Sequence, residues 1–185
     1  PKLQRCIRVN TKKISVEALK ERLEKKRVIF EKVPFLDDAF YIQSRFNVVS
    51  SPEYLLGLFY IQEAATQLAA KVLAPKDVVL DCCAAPGGKT HQLSLLAPVV
   101  AVENNAVRFK KLENNLERLG VENCIAYLMD VRQVKKQFSY ILLDAPCSGN
   151  YMLEKAWMRK QSIGRIEGRA ALQKELLLHC LGLLK

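Results

Sequence analysis

The spacing of apolar positions changes period along the chain. Cys6-Ile7-Arg8-Val9-Asn10 alternates as a short strand does, and beyond Ser15, a good helix cap, Val16, Leu19 and Leu23 recur at helical spacing. Val28 to Val33 and Ala39 to Gln43 return to strand-like runs around a Pro34–Asp38 turn, so residues 1–50 are expected to form a small α/β module. A connecting segment over 51–74 follows. In it Ser50-Ser51-Pro52-Glu53 marks a turn or helix start, Gly57 interrupts an apolar stretch, and Glu63 to Leu73 is helical through Leu68 and Val72.

After Pro75-Lys76-Asp77 the alternation becomes regular over 75–185. Strands are predicted at 78–83, 99–103, 124–129 and 140–144, with helices at about 88–96 and 105–119. The second helix is the clearest: Phe109, Leu112, Leu116 and Leu119 share one stripe, which is core, and Gly120 stops it. Such alternation predicts an α/β sheet built mainly of parallel strands. The polar, basic stretch from Asn150 to Gly168 reads as a mobile surface loop, and helical spacing returns from Ala170 to Leu184. Trp157 among Lys155, Arg159 and Lys160 could stack a base or pack on its own domain.

Charge adds a direction to this outline. The net charge is +10, and it sits at the ends: residues 1–50 carry 12 Lys/Arg against 6 Asp/Glu, and residues 151–185 carry 7 against 3. Basic flanks around a neutral middle suit a polyanion such as RNA, although the basic residues of the first helix interleave with Glu17, Glu21 and Glu24 as on a solvated face. No run of about 18 apolar residues and no signal-like N-terminus is present, so a cytoplasmic protein without a membrane partner is expected. Six scattered cysteines without a C-x-x-C pair, with His91 and His179 isolated, argue for reduced thiols and no bound metal.

The densest chemistry follows the predicted strand at 78–83. Cys83-Ala84-Ala85-Pro86-Gly87-Gly88-Lys89 combines a tight turn, small residues that admit a ligand close to backbone, and one cation. The loop lacks the glycine fingerprints for NAD or ATP. Glu103 stands 22 positions after Asp81, where an open sheet of this kind places an acid against ribose hydroxyls, and Asp130 and Asp144 close two further strands. Four acids at four strand ends describe a nucleoside with a small charged tail, which S-adenosylmethionine fits. Asp144-Ala145-Pro146-Cys147-Ser148-Gly149 adds a carboxylate and a thiol at one strand end, and Cys147 is a candidate nucleophile. Carbon 5 of cytosine accepts a methyl group only after a thiolate adds to carbon 6, so a thiol beside a methyl-donor site is meaningful.

These two motifs resemble those of the cytosine-5 RNA methyltransferases of the NOL1/NOP2/Sun group, and Arg8-Val9-Asn10-Thr11 and Gln62-Glu63-Ala64 resemble two further elements of that family. Archaeal tRNA members look most similar. The resemblance implies a Rossmann-like methyltransferase sheet, incomplete after its fourth strand, behind an N-terminal RNA-binding module. It implies that Ala84 to Lys89 hold the methionine part of S-adenosylmethionine, Glu103 the ribose and Asp130 the adenine, with Asp144 on the target cytosine. Cys147 would then assist release of the product RNA, since the family's covalent nucleophile lies in a later Thr-Cys-Ser motif that these 185 residues do not contain. The substrate expected on this basis is tRNA, with rRNA as the alternative. A non-catalytic RNA-binding protein is the reading from a different class.

Overall fold

The computed structural model describes residues 4–149 and 162–185. The first half is an antiparallel sheet of order β2-β3-β1-β4, formed by β1 (Arg5–Val9), β2 (Ile29–Lys32), β3 (Ala39–Gln43) and β4 (Phe59–Ile61). Helix α1 (Val16–Glu24) starts where expected, with the Ser15 hydroxyl accepting from the Ala18 N–H, and buries Leu19 and Leu23 against Ile7, Val9, Phe40 and Phe59. The segment read as a connection therefore supplies a strand: Phe59 to Ile61 pair with Val9 to Ile7. The short helices α2 (Pro52–Leu55) and α3 (Leu68–Leu73) flank it.

Much of the basic character of α1 is consumed locally. Lys25 pairs with Glu21, while Lys26 and Arg22 both reach the buried carboxylate of Glu53. The solvated-face reading of this helix gains accordingly over an RNA contact.

The second half is a parallel sheet of order β7-β6-β5-β8, from β5 (Val79–Cys82), β6 (Val99–Glu103), β7 (Cys124–Leu128) and β8 (Tyr140–Leu143). Alternation along β5 sorts its two faces. Val79 joins the layer of α4 (Gly88–Ser94) and α5 (Ala106–Leu119) through Leu93, Leu112 and Leu116. Leu80 and Cys82 point the other way, onto Leu176, Cys180 and Leu183 of the last helix and its end. That helix, α6 (Ile163–Gly182), corrects the expected loop: Ile163 to Gly168 are helical, launched by Ser162, whose hydroxyl accepts from the Arg165 N–H. Its outward positions leave Leu177, Leu178 and Leu181 exposed. Trp157 and its basic neighbours lie outside the described residues.

The two sheets meet through side chains of β1 and the turn after it. Asn10 donates from Nδ2 to the carbonyls of Gly57 (2.9 Å) and Leu119 (2.8 Å). Lys13 donates to Leu56 and Arg118 carbonyls, and Arg118 returns a hydrogen bond to the Tyr54 carbonyl. The end of α5, where unpaired carbonyls carry negative partial charge, is thus capped by a cation and an amide from the other sheet.

Candidate active site

Strand order creates the site. The chain leaves β5 for β6 and β7 on one side and comes back to β8 on the other, so the loops after β5 and β8 diverge and open a crevice at the carboxyl ends. The loop after β5 is held in an unusual path: Cys83 (φ 59°) and Gly87 (φ 102°) are left-handed, and the Ala85–Pro86 bond is cis. Helix α5 fastens it. Arg108 Nη2 donates to the Ala85 carbonyl at 2.7 Å and Asn115 Nδ2 to the Pro86 carbonyl at 2.8 Å. At Gly88 a Cβ would meet Tyr60 Cε1 at 2.6 Å, so only glycine lets β4 approach this closely.

Between that loop and β4 lies a cleft of about 170 Å³. Tyr60, Gln62 and Thr66 form one wall; Cys83, Ala84, Ala85, Pro86 and Gly88 form the other, with Lys89 and Asp144 also lining it. Lys89 Nζ donates to Asp144 Oδ2 at 2.6 Å, which joins the loops of β5 and β8. Asp81, 1% exposed, also lines the cleft. Its Oδ2 accepts from the Thr90 hydroxyl at 2.6 Å, while Oδ1 has no hydrogen-bond partner among the described residues. Burial pushes its carboxyl up to about 7, and the Thr90 hydrogen bond and the Lys89 charge only partly oppose this.

A smaller recess of about 30 Å³ lies on the far side of Cys83, where Glu103, Asp130 and Pro146 converge. Glu103 is 2% exposed; Oε1 accepts from the Asn105 N–H at 3.0 Å, and Oε2 has no hydrogen bond among the described residues, with Arg108 Nη2 at 3.7 Å. Asp130 is differently committed. Its two oxygens accept from the Arg132 N–H, Nε and Nη2 and, at 3.4 Å, from Asn104 Nδ2. The Arg132 contacts hold its carboxyl down at about 2. Cys83 borders both recesses, and burial together with Glu103 pushes its thiol up to about 12, making it a neutral wall.

Most of the residues singled out from the sequence are brought together here. Gly87 and Cys147 line neither recess: Gly87 supplies the left-handed turn, and Cys147 is exposed on the loop after β8, its sulfur 3.4 Å from the Gly149 N–H. Gln173 of α6 anchors that loop through the Pro146 carbonyl. The sequence reading counted Asp81 among the strand-end acids and Gln62 in a family element, but it did not place Tyr60, Gln62 or Thr66 beside the loop. For Asp81 a signal existed, an acid inside an otherwise apolar strand.

Two buried carboxylates line the two recesses, each with an oxygen that has no hydrogen-bond partner among the described residues, and they fit a ligand that offers a diol at one place and a cation at another. S-adenosylmethionine offers both, and the small-residue loop between them leaves room for it.

Comparison with known proteins agrees with this geometry. Residues 70–185 match the family described as 16S rRNA methyltransferase RsmB/F, and residues 1–64 match the N-terminal domain of 16S rRNA methyltransferase RsmF. The ribosomal RNA small subunit methyltransferase F of Vibrio campbellii is 42% identical over 83% of this chain and 35% of its own length. That of Photobacterium profundum is 37% identical over 99% of this chain and 42% of its own. A methyltransferase homolog from Pyrococcus horikoshii superposes with a TM-score of 0.86 at 37% identity, over 100% of this chain and 62% of that one. The chain thus spans about 35–42% of the length of the curated relatives it matches. With the family match covering the whole cofactor half, and the parallel sheet being of the S-adenosylmethionine-dependent methyltransferase type, the chain belongs to the RsmB/F (NOL1/NOP2/Sun) family of RNA cytosine-5 methyltransferases.

Proposed function

We propose that this chain forms the methyl-donor-binding part of an S-adenosylmethionine-dependent enzyme that methylates carbon 5 of cytosine in 16S rRNA. The observation that carries the reading is the pair of recesses either side of Cys83, each lined by a buried carboxylate whose second oxygen has no hydrogen-bond partner among the described residues. Glu103 takes the ribose hydroxyls. The loop from Ala84 to Lys89 holds the methionine end, above Asp81, whose open oxygen suits an ammonium group. Asp130 meets the adenine amino group, and the 3.4 Å contact from Asn104 is the one that would yield. S-adenosylmethionine supplies the electrophilic methyl group. Asp144, oriented by Lys89, contacts the target cytosine, and the exposed thiol of Cys147 stands on the same loop, where RNA can reach it. In its family role Cys147 assists release of the methylated RNA.

Ribosomal RNA replaces the tRNA first expected from the sequence because the relatives matched over both halves are named for 16S rRNA. A cytoplasmic location goes with that substrate. Among the described residues no helix is long and apolar enough to cross a membrane.

Calorimetric titration tests the cofactor site. Glu103→Ala removes charged acceptors for two hydroxyls, together about 1.5–3 kcal/mol, so affinity for S-adenosylmethionine is expected to fall roughly 10- to 100-fold. Unchanged affinity would remove Glu103 from the site. For the substrate, competition binding should favour 16S rRNA over tRNA, and the reverse preference would return tRNA as the substrate.

A further inference from the structure

Arg8 lies on β1, in the other sheet from the cofactor loop, yet its guanidinium is 0% exposed and sits directly behind the cleft wall. Nη1 donates to Gln62 Oε1 at 2.7 Å; Nη2 donates to the Gly88 carbonyl at 3.0 Å and meets His91 Nδ1 at 2.8 Å. A guanidinium only donates, so His91 Nδ1 is the acceptor and the ring is neutral; burial and the Arg8 charge push its pKa down to about 3. No carboxylate lies within ion-pair distance of Arg8 among the described residues. Its hydrogen-bond acceptors are all neutral, and Asp38, which interacts with it through charge from beyond ion-pair distance, offsets the buried cation only in part.

The same donor-only chemistry fixes the orientation of Gln62. The atom facing Arg8 must be the carbonyl oxygen, so the amide nitrogen faces away from it, on a residue that lines the cleft. The Gln62 backbone is held at both ends, its N–H donating to the Cys6 carbonyl and its carbonyl accepting from Gln67 Nε2. Among the described residues, no protein acceptor takes the Gln62 amide nitrogen. Two other side-chain donors on the walls are already engaged: Lys89 is paired with Asp144, and the Thr66 hydroxyl donates to the Glu63 carbonyl.

We propose that Arg8 is a positioning residue that turns the Gln62 Nε2 donor into the cleft, where Gln62 receives the carboxylate of the cofactor's amino-acid end. This rests on the methyl-donor reading above. The positive potential of Arg8 behind the amide reinforces the attraction, while Asp81 is left for the ammonium group of the same end.

The test compares S-adenosylmethionine with 5′-methylthioadenosine, which keeps the nucleoside but lacks the amino-acid end. Gln62→Glu keeps the shape, gives Arg8 an ionic partner and sets a carboxylate against the ligand's own. Its affinity for S-adenosylmethionine is expected to fall about tenfold or more, with methylthioadenosine binding within about twofold and thermal stability not reduced. Arg8→Lys, which cannot hold both Gln62 and Gly88 with one fork, should shift the ratio of the two affinities in the same direction. Equal weakening of both ligands by Gln62→Glu, or no weakening of either, overturns the proposal. Wild-type protein that binds neither compound would instead overturn the methyl-donor reading, and this inference with it.

Discussion

Asp81→Asn is expected to make the ligand-free protein more stable and a poorer binder at once. The Asp81 carboxyl is pushed up to about 7 by burial, whereas an unfolded chain ionises at about 3.9. Between those values the folded state holds the extra proton, so the carboxyl lowers stability progressively as pH rises, and the full penalty is present above pH 7. An asparagine still accepts from Thr90 and carries no charge. The gain should therefore be on the order of 2–4 kcal/mol at pH 8, about 5–10 °C in melting temperature, and should fade toward pH 4. In the same protein S-adenosylmethionine should bind about tenfold more weakly, through loss of the anion opposite its ammonium group. Scanning calorimetry at pH 8 and pH 5 decides it: a stability gain no larger at pH 8 would mean that Asp81 is already ionised without cost.

Gly57→Ala should have the largest effect on the fold. At φ 70° the residue is left-handed, and an added Cβ would lie 1.9 Å from the Arg118 carbonyl oxygen, which is backbone and cannot swing aside. Relief requires moving the end of α5, which Asn10 and Lys13 grip from the other sheet. A loss of at least about 3 kcal/mol is expected, read from the urea midpoint. Gly164→Ala provides the contrast: nothing lies within 4 Å of its Cβ, and about 0.5–1 kcal/mol of stability should be gained. Comparable midpoints for the two variants would show that α5 shifts freely against the first sheet.

The contrast between these glycines also shows what a sequence can convey. The strands of the parallel sheet, the helix from Ala106 to Leu119 and the acid at the end of β6 were legible because each is a local pattern, a period or a charge after an apolar run. Strand β4 was not, being three residues long and following a glycine that reads as an interruption. The first turns of α6 looked like loop because Gly164 and Gly168 stand among charges; the helix tolerates them with Ser162 as its cap. At the site, Arg8 and Gln62 were singled out in the sequence, but their contact with each other and with the loop after β5 was not. Gln62 and Arg8 are 54 positions apart, and Arg8 and Gly88 are 80, separations at which no periodicity carries information. Asp130 was legible as a strand-end acid, but its pairing with Arg132, two residues further on, was not, because no period marks it.

The junction between the sheets bears on how the two halves of the chain are held in register. Strand β1 reaches the start of α4 through Arg8, and Asn10 just beyond it reaches the end of α5, so one short edge of the first sheet touches both helices flanking the cofactor loop. The aperture of the cleft is therefore set by contacts to backbone carbonyls rather than by a hinge. In the reading proposed above, the two halves work as a jig, and a change of angle between them would show up as mis-aimed chemistry before it showed up as lost cofactor affinity.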